Sequence, residues 1–442
     1  MSDNPITRRA SYGPSSPDVG TRGATTRNRI VEVSLSLFGE VGFFNTSVDA
    51  IAKEANISRA TLYQYFPGKN EIFLELLEEC GRALVRVARR IGPLGPTDVG
   101  FYNLNWWLGE WSWVFEKYST MFVQWTSVAS SEIAVRSSID RFVGGYNQRI
   151  ADRLKKSSLE GIDVTAAAAT MTAVVHRMNL FLHTGRAYGR DVQSVVDAVS
   201  VFLQLMLFPD TPASVLNGLG VRTMSHEAVA VPAAPKTAGL GTDDRIAGLS
   251  KRAVNTVHTL IEAGATQFRQ RGYRPTNVDD IVAEAGVARG TFYKYFSEKH
   301  DLLVALSIDA VRQAGEFADR AENMDITASD ETELRTWLAD YLPFSHYYAG
   351  TIDAWSEHST DSAVVLELGD FAQATMDHAL SIALDAQDRN YPFDPVLGAL
   401  LFRSVTGRLP QLAQDLPDPL SDSQTLDLIV ACLKRGFTVQ AQ

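Results

Sequence analysis

Arg59, Thr61, Tyr63, Tyr65 and Lys69 recur, type for type, as Arg289, Thr291, Tyr293, Tyr295 and Lys299, 230 positions later. Gln64 stands within the first run and Lys294 within the second. These residue types suit the reading of a DNA duplex. Arginine forks onto the acceptor pair of guanine, glutamine pairs with adenine, and a threonine methyl meets the thymine methyl. Tyrosine and lysine at the far end of such a run suit phosphate oxygens, contacts that set position rather than sequence. The candidate contact set is therefore Thr46, Ser58, Arg59, Thr61, Gln64, Tyr65 and Lys69, with Thr276, Arg289, Thr291, Lys294, Tyr295 and Lys299 in the second run. Leu62, Tyr63 and Phe66 are read as pointing inward. The plainer alternative makes Arg59 and Lys69 solvated charges and Tyr65 core. The recurrence of the same types in both runs argues against it.

Such side chains need a short helix held proud of a small core. Ile30, Val33, Leu37, Phe38 and Val41 recur at helical spacing, and Gly42 ends that helix. Thr46 followed by Asp49 matches a capping pattern for a second helix through Val48, Ile51 and Ala52. Ala55-Asn56-Ile57 is a tight turn. Asparagine tolerates the left-handed backbone such a turn needs, and the second run has Gly286 there. Ser58 then caps a third helix from Arg59 to Phe66. The second run has Ala288 at the cap, which weakens its third helix. Two short helices joined in this way form a helix-turn-helix, whose second helix enters the major groove.

The repeat extends further. Across Ile30 to Lys69, fifteen of forty positions are identical in one ungapped register of 230. The same register pairs Trp107 with Trp337 and Trp125 with Trp355, so a whole domain is duplicated. The expected organisation is a disordered tail at 1–24, helix-turn-helix domains at 25–70 and 246–300, and helical domains at 71–208 and 301–442. A linker at 209–245, rich in Ala, Gly, Pro and Val and without helical period, joins the copies.

The chain has 442 residues and a net charge of −11. That balance argues against bulk affinity for nucleic acid, but screening makes local charge decisive. Arg27 to Lys69 carries a net +1 and Lys251 to Lys299 a net +3, inside an acidic chain. Cys80 and Cys432 are too few for a disulfide framework or a metal cluster, and both sit in apolar helical patterns. Val195 to Leu207, the most apolar stretch, is interrupted by Asp197 and Gln204, and the N-terminus lacks an apolar signal core. A cytoplasmic, nucleoid-associated protein with no membrane partner is expected. No nucleophile elbow, phosphate-binding glycine loop or metal-ligand set is present, so neither an enzyme nor a cofactor is expected.

The run Phe38…Gly42-Phe43…Thr46…Val48…Ile51-Ala52…Ala55…Ile57-Ser58-Arg59…Thr61-Leu62-Tyr63-Gln64-Tyr65-Phe66…Lys69 resembles the DNA-binding domain of the TetR (tetracycline-repressor-like) family. The resemblance covers about a tenth of the chain per copy. It implies an all-α fold: three N-terminal helices, then about six that bind a ligand and dimerise. Members of that family usually have one copy and act as homodimers, so a tandem chain departs from the plan.

Downstream, an aromatic-rich segment runs from Tyr102 to Trp125. Its plain reading is helical core. The sharper one is a pocket for an apolar or aromatic small molecule. Candidate ligand contacts are Trp106, Trp111, Trp125, His176, Asn179 and His183 in the first copy, and Tyr341, His346 and Trp355 in the second, with Arg403 nearby. His176 and His183 share a helix face, but without an acid partner they make no metal site. Each copy ends in two apolar helices, Asp163 to Tyr188 with Asp191 to Phe208, and Asp394 to Gln414 with Ser421 to Phe437. The resemblance implies that such helices pair as a four-helix bundle, here between the two halves of one chain or between chains. The expected protein is a regulator, most simply a repressor, with a double-stranded operator, an apolar or aromatic effector, and self-association as partners. A rival reading makes one head vestigial and the chain partly a protein-interaction module.

Overall fold

A computed structural model describes residues 21–157, 159–219, 228–355, 360, 362–387, 391, 393–416 and 418–438. Most of the tail expected at 1–24, and residues 220–227 of the expected linker, lie outside them. Among the described residues all regular structure is helical. The first copy comprises α1 (Thr21–Val41), α2 (Val48–Glu54), α3 (Arg59–Tyr65), α4 (Lys69–Arg89), α5 (Asp98–Lys117), α6 (Ser119–Ser131), α7 (Ile133–Leu154), α8 (Val164–His183) and α9 (Val192–Leu207). Two short helices follow, α10 (Ala213–Leu216) and α11 (Thr242–Ile246). The second copy repeats the nine as α12 (Lys251–Arg271), α13 (Val278–Glu284), α14 (Arg289–Phe292), α15 (Lys299–Ala321), α16 (Thr332–Tyr347), α17 (Ala349–Asp353), α18 (Ala363–Asp385), α19 (Pro395–Gln414) and α20 (Asp422–Phe437).

The chain divides into two compact units. One holds the first head, residues up to 86 with 117–142. Its core is built on Phe38, Phe43 and Phe73, with ring centroids 5.2 to 6.1 Å apart. Gln124 of α6 accepts from the Phe43 amide at 2.7 Å and donates to the Phe38 carbonyl, tying α6 to the end of α1. Gly42 ends α1 at φ +83°, a backbone that only glycine adopts without steric cost.

The other unit joins 87–116 and 143–442, so it contains the terminal helices of both copies. The helices α8 and α9 pack on α19 and α20. Their apolar faces leave no other choice: α9 buries twelve of its residues and α19 thirteen, far more than one helix pair can cover. The residues at which the sequence starts these four helices are their N-caps. Asp163, Asp191, Asp394 and Ser421 each accept a backbone N–H in the first turn. The helix expected to run to Tyr188 stops at His183. Gly185 and Gly189 take positive φ, as does Tyr188 at +50°, and turn the chain out of the helix. The segment thus released carries Arg186, Tyr188 and Arg190 to the second copy. Arg190 pairs with Asp394 at 3.1 Å, the Tyr188 hydroxyl donates to Asp377 at 2.7 Å, and Arg186 donates to Asp370 at 3.2 Å and to Gln373. From within the second copy, Arg403 meets the same Asp377 at 2.6 Å.

The segment between copies is not bare coil where it is described. Besides α10 and α11, Val229 is buried against Ala374 and Val396, with Tyr188 packed on them, and its carbonyl accepts from His378 Nδ1 at 2.8 Å. No described helix is long and apolar enough to cross a membrane.

Candidate functional site

In each head the turn between the second and third helices is left-handed, at Asn56 with φ +52° and at Gly286 with φ +64°. The third helix then stands with Arg59, Ala60, Tyr63 and Gln64 exposed, and its counterpart with Arg289, Gly290, Tyr293 and Lys294. Each arginine is held at both ends. Arg59 donates to Asp49 at 3.2 Å and to the Tyr63 hydroxyl at 3.3 Å, while Arg289 donates to Asp279 at 2.9 Å and to the Tyr293 hydroxyl at 3.4 Å. The Tyr63 hydroxyl and then the Asp49 charge raise the Arg59 pKa, with the same causes at Arg289. Both arginines therefore present donors to solvent from a fixed position, as a base-reading side chain must.

Several expected contacts have other employment. Lys69 does not reach out to a phosphate. Its ammonium donates to the carbonyls of Phe43, Phe44 and Thr46 at 2.7, 3.2 and 3.0 Å and lies 4.5 Å from the Phe43 ring centre. Lys299 does the same with Tyr273, Arg274 and Thr276. An ammonium has three donors, and all are spent on the loop that closes the first helix. Burial lowers both lysine pKa values, as enclosure disfavours the charged form. Thr46 and Thr276 are likewise internal. Each is buried, with its hydroxyl on the carbonyl of Gly42 or Gly272 at 2.8 Å. The cap expected from Thr46 is supplied instead by Ser47 and, in the second copy, by Asn277.

The two tyrosines also exchange roles. Tyr63, read as inward, and its counterpart Tyr293 are 43% and 48% exposed, whereas Tyr65 and Tyr295 are half-buried. The helical period gives the reason. Tyr63 lies four residues after Arg59, on the same face, and one residue after the buried Leu62. The Arg59 to Tyr63 spacing was the available signal for a functional Tyr63. Asp49 had a signal too, being identical in both copies. Beneath each tyrosine pair an arginine holds the end of the helix: Arg27 donates to the Tyr65 carbonyl at 3.2 Å, and Arg245 to that of Tyr295 at 3.0 Å. These two arginines are not in register, so the repeat could not expose their shared task.

The heads differ at the cap. Ser58 accepts from the Thr61 amide at 3.0 Å and shares a 2.8 Å contact with its hydroxyl. Ala288 supplies no side-chain bond, and α14 spans four residues against seven in α3. A lost cap of this kind costs about 1 kcal/mol. Thr61 and Thr291 are half-buried, and Ser58 is exposed.

Of the expected ligand contacts in the first copy, Trp111, His176 and His183 gather around Phe115. Phe115 lies 5.8 Å from Trp111, 5.8 Å from His176 and 4.9 Å from His183, the last stacked. Burial lowers the His183 pKa, with Glu116 opposing. Asn179 is buried one turn along and donates back to the Val175 carbonyl at 2.8 Å. Tyr146 is enclosed beside the indoles of Trp107 and Trp111, which the sequence reading did not include. Trp106 lies apart under Arg90 at 4.8 Å, and Trp125 belongs to the first-head unit, against Phe122. In the second copy Tyr341 stacks on Trp337 at 4.6 Å, Trp355 donates to Ser307 at 3.1 Å as a core residue, and His346 is exposed. Trp355 lies in the apolar cluster against which Tyr341 packs.

Glu298, His300 and Asp301 place one ligand atom each within 4.8 Å of one another. His300 is engaged by Ser362 at 2.7 Å and Asp301 accepts from the Ser297 amide at 2.8 Å, so two of the three have structural work. Cys80 and Cys432 are free, buried and less acidic than ordinary thiols because of that burial.

The model of the tetR family of bacterial regulatory proteins matches residues 30–76 and again 260–306. A biofilm operon negative transcriptional regulator, IcaR of Staphylococcus epidermidis, is 26% identical over 161 residues, which is 36% of this chain and 80% of that protein. A fatty acid metabolism regulator protein of Bacillus subtilis is 36% identical over 63 residues, 14% of this chain and 31% of that protein. Among solved structures, the transcriptional regulator FadR of Bacillus subtilis in complex with stearoyl-CoA matches 40% of this chain and 96% of its own, at 18% identity and a TM-score of 0.34. NalD, the secondary repressor of a multidrug efflux pump in Pseudomonas aeruginosa, matches 41% and 94%, at 17% identity and a TM-score of 0.34.

Proposed function

Because the chain is a tandem two-copy member of the tetR family of bacterial regulatory proteins, a DNA-binding transcriptional regulator, we propose that it acts as a repressor in which two fused subunits form one intramolecular pseudo-dimer. The observation that carries this reading is the packing of α8 and α9 on α19 and α20, with Arg186, Tyr188 and Arg190 of one copy bonded to Gln373, Asp377 and Asp394 of the other. One chain then supplies both recognition helices. They differ at Gln64 against Lys294 and at Ser58 against Ala288, so the operator they read is asymmetric. Arg59, Tyr63 and Gln64, with Arg289, Tyr293 and Lys294, are the base- and phosphate-facing set. The effector is an apolar or aromatic small molecule. The cluster of Trp111, Phe115, His176 and His183 supports a site for it in the first copy. Its binding favours a helix arrangement that misplaces the heads, a population shift that releases DNA in the cytoplasm.

Light scattering of the protein on its selected operator tests the pseudo-dimer. A complex of one chain per operator is expected, and an obligate dimer or tetramer of chains overturns the reading. Footprinting adds a second check: a perfect palindrome is incompatible with two unlike heads. The short, uncapped α14 favours a second reading, in which the second head is vestigial. Undiminished operator affinity in Arg289→Ala, beside a large loss in Arg59→Ala, would select it.

A further inference from the structure

Tyr102, Val99 and Trp113 are 69%, 66% and 60% exposed, the three most exposed large hydrophobic side chains among the described residues. All three belong to α5. Trp106 and Gly109, both half-buried, complete the series 99, 102, 106, 109, 113, whose steps of three and four put all five on one helix face. The opposite face of α5 carries the buried Leu104, Trp107, Leu108 and Trp111. The helix is therefore apolar on the side that the core does not use. Single apolar residues are ordinary on a surface, but a continuous stripe marks an interaction site.

The second copy shows the face that solvent alone asks for. In the register of 230 the same five positions are Ser329, Thr332, Thr336, Ala339 and Pro343, all exposed and none aromatic. The inner face is kept, with Leu104, Trp107 and Leu108 recurring as the buried Leu334, Trp337 and Leu338. At the centre of the first-copy stripe the Arg90 guanidinium lies 4.8 Å from the Trp106 ring centre and 3.5 Å from the Glu110 carboxylate, and both charged side chains keep solvent access. A Cβ built on Gly109 would meet nothing within 4 Å, so the face has a gap one turn from its central ring.

We propose that this face docks on the same face of a second chain, antiparallel across a two-fold axis. Trp106 of each chain enters the gap at Gly109 of the other, and Trp113 meets Tyr102. Every contact is made twice, as a two-fold axis requires. Charge fits the same axis: each Arg90 faces the other chain's Glu110, so four charges alternate in sign around the centre. Tryptophan, tyrosine and arginine are the residue types that anchor interfaces. An aromatic side chain buries about 150–250 Å², so three partly exposed ones offer roughly 300–500 Å² per chain, short of the about 800 Å² that a standard stable interface takes. The association is therefore reversible and concentration-dependent. It goes beyond the repressor reading without competing with it, because two chains joined through α5 each keep their own operator.

Sedimentation velocity of the full chain without DNA, at about 1 to 100 µM, covers the affinities of a small interface. The wild type is expected to pass from one chain to two as concentration rises. Tyr102→Thr with Trp113→Gln is expected to weaken the association by at least about tenfold. Gly109→Leu closes the gap while making the face more apolar. An unspecific sticky patch would then associate more strongly, whereas the interlocked pair is expected to weaken. Glu110→Arg alone is expected to weaken association by setting like charges face to face, and adding Arg90→Glu to recover most of it. Thermal melting of Gly109→Leu no lower than that of the wild type shows that this variant folds. A single-chain mass at every concentration overturns the proposal. So does association that the Tyr102 and Trp113 substitutions leave undiminished, that Gly109→Leu leaves unchanged or strengthens, or that the charge exchange fails to recover. None of these results bears on the pseudo-dimer, which an obligate pair of chains on one operator would overturn instead.

Discussion

Arg59 reaches back across the turn to Asp49, 3.2 Å away, and in the second head Arg289 reaches Asp279 at 2.9 Å. The carboxylate belongs to the helix that lies across the turn, so the aim of the recognition arginine is set by its neighbour. On the proposed reading, removing the arginine removes a base contact as well as a charge. Arg59→Ala and Arg289→Ala are each expected to weaken operator binding by about tenfold to a hundredfold, the worth of a forked base contact, and to relax preference at one half-site only. Affinity measured at fixed salt on operators altered in one half checks this. Equal losses on every sequence would instead make both arginines phosphate contacts.

Lys69 should behave in the opposite way. Its three donors close the loop after α1, so Lys69→Met leaves three carbonyls without their charged partner. The expected cost is about 1–3 kcal/mol of head stability. Chemical denaturation reads that loss. The slope of affinity against salt concentration should stay unchanged, because no phosphate contact is lost. A slope reduced by one ion with stability intact would return Lys69 to the DNA.

The contrast between these residues shows what sequence could reveal. The helix-turn-helix, its turn at Asn56 and the starts of the four terminal helices were legible because each depends on local spacing and on one residue's backbone preference. The loop bonds of Lys69 and Thr46 were not legible, because a residue preserved in both copies can serve the loop as well as the ligand, and only the loop's geometry shows those bonds. The contacts among Arg186, Tyr188, Asp377 and Arg403 were invisible for another reason. They arise only after Gly185 and Gly189 turn the chain away from a helix that periodicity would continue.

Close packing beneath the heads illustrates the same limit and gives a third prediction. In the first copy the small residue is Gly39, facing Thr120; in the second, the positions in register are Arg269 and Gly350. The space has changed sides. A Cβ on Gly350 would lie 2.2 Å from the Phe268 carbonyl carbon, a contact with backbone that cannot yield. Gly350→Ala should destabilise the seating of α12 by about 1–3 kcal/mol. Gly39→Ala, which meets only a threonine hydroxyl at 3.0 Å, should cost less. Hydrogen exchange of the two first helices distinguishes the cases, and equal protection in both variants would contradict the packing argument.

His183 stacked on Phe115 makes stability depend on pH. Burial lowers its folded pKa below the unfolded value of about 6.5, so the unfolded chain binds the proton more readily. The contribution of neutral His183 is therefore present above that value and is lost as pH falls through it toward the folded pKa. Melting temperature should drop more steeply between about pH 7 and pH 5 in the wild type than in His183→Phe, which cannot take up the proton. Parallel profiles for the two proteins would exclude His183 as the titrating group.

Asp377 joins a residue of each copy. It is fully buried, takes Arg403 of its own copy at 2.6 Å and receives the Tyr188 hydroxyl of the other at 2.7 Å. A buried pair of this kind adds little compared with apolar residues of equal size, but losing one partner leaves an uncompensated charge. Asp377→Asn should therefore cost about 3–5 kcal/mol, most of it from the stranded Arg403. Adding Arg403→Met should recover much of that stability without restoring the link to Tyr188. If the link transmits effector binding from one copy to the other, the double variant will fold and hold operator yet respond more weakly to effector. Thermal denaturation and operator release measured on the same three proteins separate the two effects. A single variant as stable as the wild type would mean that Asp377 is not the pivot of the interface, and an undiminished response in the double variant would mean that coupling runs through the apolar helix faces alone.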